Sequence, residues 1–78
     1  DPRELRDIVA KNIRERARQQ KMSLNRLADF AGIARSPFFR AMSGEASFTL
    51  DRLCKIANAL QCPPHLLLEQ PRGESKQD

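Results

Sequence analysis

The chain has 78 residues, two Cys, one His, no Trp and no Tyr, and 14 Lys or Arg against 10 Asp or Glu for a formal net charge of +4. A chain this short holds one small core, which excludes a second domain. Helix formers dominate and β-branched residues are few and scattered, so an all-α domain is expected.

The first segment repeats Leu5, Val9, Ile13 and Ala17 every fourth residue, with Ile8 beside them and charged or amide residues between. That spacing predicts an amphipathic helix of about 16 residues, preceded by the helix-compatible Pro2 and ending near Gln20 or Lys21. Ser23 then reads as an N-cap, and Leu24, Leu27, Ala28 and Ala31 supply the apolar face of a short second helix. Gly32 suits the left-handed backbone that closes it.

A third helix is expected to begin near Arg35 and to stop at Gly44. Pro37 leaves its start open by about two residues, because Ser36 and Pro37 read equally well as N-cap and first helical residue. The fourth helix has the strongest local signals: Thr49 as N-cap, Asp51 near the positive helix end, and Phe48 placed to pack on Leu53 as a hydrophobic staple. Leu50, Leu53, Ile56, Ala57 and Leu60 form its expected buried stripe. At "CPPHLLLEQP" the prolines break this helix and start a last short one, with Leu67 buried and Pro71 as its stop. The domain is expected over residues 1–70, and the apolar-free "RGESKQD" is expected to make 71–78 a disordered polar tail.

Composition narrows the chemistry. Cys54 and Cys62 are eight positions apart, about 12 Å of helical rise, too far for a disulfide, and with His65 alone they lack a metal spacing. Both are expected reduced and mostly buried. One histidine, no paired acids and no phosphate-binding glycine loop leave nothing from which to assemble a catalytic site, so no enzyme, cofactor, metal or small-molecule ligand is expected. No apolar run approaches the roughly 18 residues of a membrane span, and no stretch reads as a signal peptide. From Arg3 to Arg40 there are ten Lys or Arg against four acids, a surplus of +6, whereas residues 41–78 carry four against five. A polyanion is the natural partner for such a first half, although a charge-rich helix is more often merely solvated.

Two short helices joined by a glycine turn are the pattern of a helix-turn-helix, and also of an ordinary αα corner. Here the residues decide. Ser23, Leu27 and Ala28 open the second helix as S-x-x-x-L-A, Gly32 and Ile33 form the turn, Ser43 and Gly44 close the third helix, and "TLDRLCKIANAL" supplies the fourth. In this order and spacing the chain resembles the Cro and phage-repressor (XRE, lambda-repressor-like) helix-turn-helix domains over roughly residues 5 to 68.

The resemblance implies a compact bundle of five short helices, with the third, about Arg35 to Ser43, entering the major groove and the second lying across the backbone. The core implied by the pattern is Leu5, Val9, Ile13, Leu27, Ala28, Ile33, Phe38, Leu53, Ala57, Leu60 and Leu67. Family positions that face DNA fall on Leu24, Ala34, Arg35, Ser36, Phe39 and Arg40. Arg35 and Arg40 can each pair with guanine O6 and N7 or clamp a phosphate, and Ser36 can donate or accept. Lys21, Ser23 and Arg26 are the phosphate candidates, helped by the free N–H groups of the helix start.

Departures from the family pattern are also legible. Leu24 stands where the family often has Gln, Ala34 where it has a small hydroxyl residue, Arg26 where it has Glu, and Gln61 where it has Gly. Adjacent helical residues point about 100° apart, so Phe38 and Phe39 cannot both face the core. Phe38 shares a face with Ala41 and Met42, while Phe39 shares one with Arg35 and Ser36. Phe39 then either touches a thymine methyl, or folds over Leu24 as an apolar lid, or meets a protein partner.

The function expected is a sequence-specific regulator of repressor type, cytoplasmic and nucleoid-associated. Its partners are double-stranded DNA and a second copy of itself on a pseudo-palindromic operator, with Leu66 and Leu68 at the dimer surface. The alternative is a protein-interaction module that keeps the fold and binds through the Leu24/Phe39 patch. Membrane-surface binding by the basic first helix is the weakest possibility, because its apolar stripe is needed for the core.

Overall fold

The computed structural model describes residues 1–70, and all their regular structure is helical. The polar tail expected at 71–78 lies outside the described residues. Four α-helices, α1 (Pro2–Gln19), α2 (Leu24–Ala31), α3 (Arg35–Met42) and α4 (Leu50–Ala59), are followed by a 3₁₀ helix, Pro64–Leu68. The fifth helix is therefore 3₁₀ rather than α. Pro63 is extended ahead of Pro64, the first helical residue, and Glu69 is extended again, so five residues remain, too few for two α turns.

Local chemistry accounts for the boundaries. Asp1, Ser23 and Thr49 cap α1, α2 and α4 by accepting from the backbone N–H groups of Arg3, Arg26 and Arg52, at 3.0, 3.1 and 3.1 Å. Each α-helix ends in the same way: a residue of left-handed backbone directs its own N–H and the next one back to carbonyls of the last turn. In α2 these donors are Gly32 and Ile33, bonding Asp29 and Ala28 at 3.1 and 3.0 Å. Glycine meets the positive φ at Gly32 and Gly44, but Lys21 (φ 56°) and Gln61 (φ 59°) adopt it despite their side chains. Gln61 thus takes the conformation for which the family pattern supplies glycine.

The core is one cluster, with Val9, Ile13, Leu27, Phe38, Met42, Leu53, Ile56, Leu60 and Leu67 as its larger side chains and Ala28, Ile33 and Ala57 between them. Each large aliphatic or aromatic group removed from water contributes about 1.5–3 kcal/mol before chain entropy is opposed to it. The broadest contacts are α2 on α4 and α1 on the 3₁₀ helix. Asn12 fastens the second of these, its Nδ2 donating to the carbonyls of Leu67 at 2.9 Å and Glu69 at 2.7 Å.

Two leucines expected inside lie outside. Leu5 is 46% exposed and Leu50 78% exposed. Both keep the apolar phase of their helices but sit in the first turn, where side chains tilt toward the N-terminus and therefore project past the packed layer. Residues 1–5 are all exposed, so the start of α1 lies at the margin of the packed layer. Cys54 is exposed rather than buried because it follows Leu53 and is rotated off the stripe, while Cys62 is half-buried; both are free thiols.

Candidate nucleic-acid interface

α3 begins at Arg35, so the ambiguity around Pro37 resolves: Pro37 is its third residue, where a backbone N–H has no helical acceptor to lose. The first helical bond runs from Phe38 N–H to the Ala34 carbonyl at 3.2 Å. Ala34, the N-cap, makes no side-chain bond to the helix start, the consequence of replacing a hydroxyl residue there. Ser43 is the C-cap rather than the last helical residue.

This register sorts α3 into two faces. Phe38, Ala41 and Met42 are buried against α1 and α2, while Arg35, Ser36, Phe39 and Arg40 face outward. Phe39 retains 36% of its exposure and borders one shallow cleft with Arg14, Leu24, Ser36 and Arg40. Leu24, on the same cleft, is half-buried and packs against the core. Phe39 and Leu24 thus line the same cleft, and Phe39 leaves an apolar surface open to solvent.

The outward polar groups are held by one another. Arg40 Nη1 donates to Ser36 Oγ at 3.1 Å, one helical turn back. Arg35 reaches across the turn to the end of α2, where its Nε and Nη2 donate to Asp29 Oδ1 and Oδ2 at 3.3 and 2.8 Å. The hydrogen bonds from Arg35, opposed by desolvation and assisted by its charge, hold the Asp29 carboxyl below its ordinary range, and the Arg35 guanidinium is raised in return.

At the start of α2, Ser23, Arg26 and the exposed Lys21 lie close together in the chain and at the surface. The capping bond from Arg26 N–H to Ser23 Oγ is present, but arginine cannot return the second bond that a glutamate would make there. Its guanidinium instead lies over the ring of Phe30, 5.6 Å from the centroid, and Phe30 is 61% exposed.

Two basic residues of α1 outside the helix-turn-helix pattern, Arg14 and Arg18, join this surface. Arg14 of α1 borders the cleft that Phe39 lines and also the neighbouring one formed by Arg18, Lys21, Ser23 and Leu24. Arg14, Arg18 and Lys21 recur at helical spacing, so the signal was present as a one-sided basic stripe. Arg18 is bridged to Glu15 at 2.5 Å, and that hydrogen bond chiefly lowers the Glu15 carboxyl. The result is a cationic border on α1 beside the outward face of α3.

Residues 12–70 match the family model of the Cro/C1-type HTH DNA-binding domain, which spans α2, the turn and α3 together with α4 and the 3₁₀ helix. The chain belongs to this family. No curated protein matches it. In this Cro/C1-type domain the helix-turn-helix is α2, Gly32 to Ala34 and α3, and the surface just described is its outward side. Among the described residues no helix is long and apolar enough to cross a membrane, and no group of His, Cys, Asp or Glu could hold a metal ion.

Proposed function

We propose that the domain is a sequence-specific regulator of repressor type that places α3 in the major groove of double-stranded DNA. The observation that carries this reading is the outward face of α3: Arg35, Ser36, Phe39 and Arg40 stand together on one exposed side of a helix whose opposite side is buried. Arg35 and Arg40 offer bidentate donors to guanine O6 and N7, Ser36 a hydroxyl of either sense, and Phe39 an apolar contact for a thymine methyl. Lys21, Ser23 and Arg26 hold phosphates at the start of α2, where free backbone N–H groups add to the charge, and Arg14 extends this set from α1.

The regulator binds as a homodimer to a pseudo-palindromic site with half-sites about one helical turn apart. Half-buried Leu66 and exposed Leu68 lie on the 3₁₀ helix, which packs on α1 and α4 and leaves the α3 face open for DNA. Such a partner places the protein in the cytoplasm with the nucleoid.

Selection of sites from a randomised duplex library, followed by affinity measurement across a salt series, tests the reading. A palindromic consensus whose binding weakens steeply with salt is expected, because each neutralised phosphate releases counterions. No consensus and salt-independent capture of a protein through Leu24 and Phe39 would contradict it.

A further inference from the structure

Between Arg16 and Gly44 the chain contains one carboxylate, Asp29, and it lies on the end of α2 beside the proposed reading helix. An acid on a surface meant for a polyanion repels phosphate, so its place there needs a compensating role. Its geometry supplies one. Asp29 accepts from Nε and Nη2 of Arg35, the side edge of the guanidinium, at 3.3 and 2.8 Å. A guanidinium has five N–H donors in a fixed plane, so both donors of Nη1 and the second donor of Nη2 stay available at the end edge. That end edge alone can still grip guanine O6 and N7 together.

We infer that Asp29 is the positioning residue that sets the specificity of Arg35, presenting it end-on to a guanine and withholding the side edge through which it would clamp a phosphate. The inference rests on the reading of α3 as the base-reading helix. Arg35 stands at the first position of α3 and is exposed, so without Asp29 its long side chain is free to swing to the backbone of the duplex. Pairing restricts that freedom before binding and favours a guanine contact along one approach. Sequence preference is thereby gained at the expense of general attraction to DNA.

The test uses Asp29→Ala, Asp29→Asn, Arg35→Ala and the Asp29→Ala/Arg35→Ala double variant. Affinities are measured on the duplex that the wild-type chain selects from a random library, on its single base-pair substitutions, and on an unrelated duplex. Both side chains are exposed, and thermal unfolding of each variant checks that the fold is kept. Arg35→Ala is expected to abolish preference at one G·C pair. Asp29→Ala is expected to reduce preference at that same pair by about tenfold while tightening binding to the unrelated duplex. Asp29→Asn, which keeps one acceptor, falls between. In the Arg35→Ala background, Asp29→Ala should leave the preference pattern unmoved.

If Asp29→Ala retains full preference at the pair that Arg35→Ala loses, the positioning role is overturned and base reading by Arg35 stands. If Arg35→Ala retains every preference, base reading by Arg35 falls and takes the positioning role with it. The Arg35→Ala result separates these two failures.

Discussion

Phe38 and Phe39 meet edge to face, ring centroids 5.2 Å apart and planes at 90°, yet Phe38 is 2% exposed and Phe39 36%. One backbone step of about 100° divides the pair between core and surface, and the T-shaped contact ties the surface ring to the buried one. The outward aromatic is therefore held from beneath and available from above.

Substitution should separate the two rings. Phe38→Ala removes a core side chain and is expected to cost about 3–5 kcal/mol, enough to unfold most of a domain this small. Phe39→Ala should cost about 1–2 kcal/mol from its partial burial, lowering Tm by several degrees, and should remove preference for a T·A pair in the bound duplex. Calorimetry and duplex affinity on the same samples check both. An unchanged preference with a large fall in Tm would assign Phe39 to covering Leu24 alone.

Gln61 closes α4 at φ 59°, a conformation that penalises any residue with a Cβ. Gln61→Gly should raise stability by about 1 kcal/mol, seen as a higher denaturant midpoint with an unchanged m-value. Gly32→Ala, at φ 73° and with nothing within 4 Å of the added methyl, should lower it by a similar amount through backbone strain alone.

Asn12 is the polar link between α1 and the 3₁₀ helix. Asn12→Ala leaves the carbonyls of Leu67 and Glu69 without that donor and is expected to cost about 1–3 kcal/mol. Hydrogen exchange should rise first at Leu66, whose N–H bonds the Pro63 carbonyl at 3.1 Å, while the amides of α2 and α4 exchange at rates set by global unfolding.

The acid limb of stability follows from two carboxylates. Arg18 and Arg35 lower Glu15 and Asp29 below their ordinary values of 4.5 and 3.8. The stabilisation is fully present above those values and is lost as pH falls through the lower values of the folded state. Tm should therefore be steady near neutral pH and decline below about pH 4.5, the ordinary value of Glu15. Glu15→Gln and Asp29→Asn should each flatten that decline, and high salt should reduce it, because both pairs are exposed.

Much of this arrangement was legible in the chain because it depends on neighbours in sequence. Ser23 and Thr49 signal caps through side-chain chemistry acting three residues away, and the two phenylalanines are separated by helical geometry alone. What was not legible depends on tertiary placement. Leu5 and Leu50 keep the apolar phase but fall past the packed layer, which no periodicity reveals. Arg14 reads as a solvated charge until α1 is set beside α3, and Asp29 meets Arg35 only once the turn brings the helix ends together. Phe30 lacks a core position, and its contact with Arg26 follows from their i to i+4 spacing once the helix is formed.

The central claim, that the outward side of the helix-turn-helix meets duplex DNA, is tested most directly by following backbone amide resonances as the selected duplex is added. The largest shifts should fall on the amides of residues 35, 36, 38–40 and 21–26, with smaller ones around Arg14 and none along the exposed side of α4 at Cys54 and Lys55. Shifts concentrated on α4 and the 3₁₀ helix, with α3 unmoved, would contradict it.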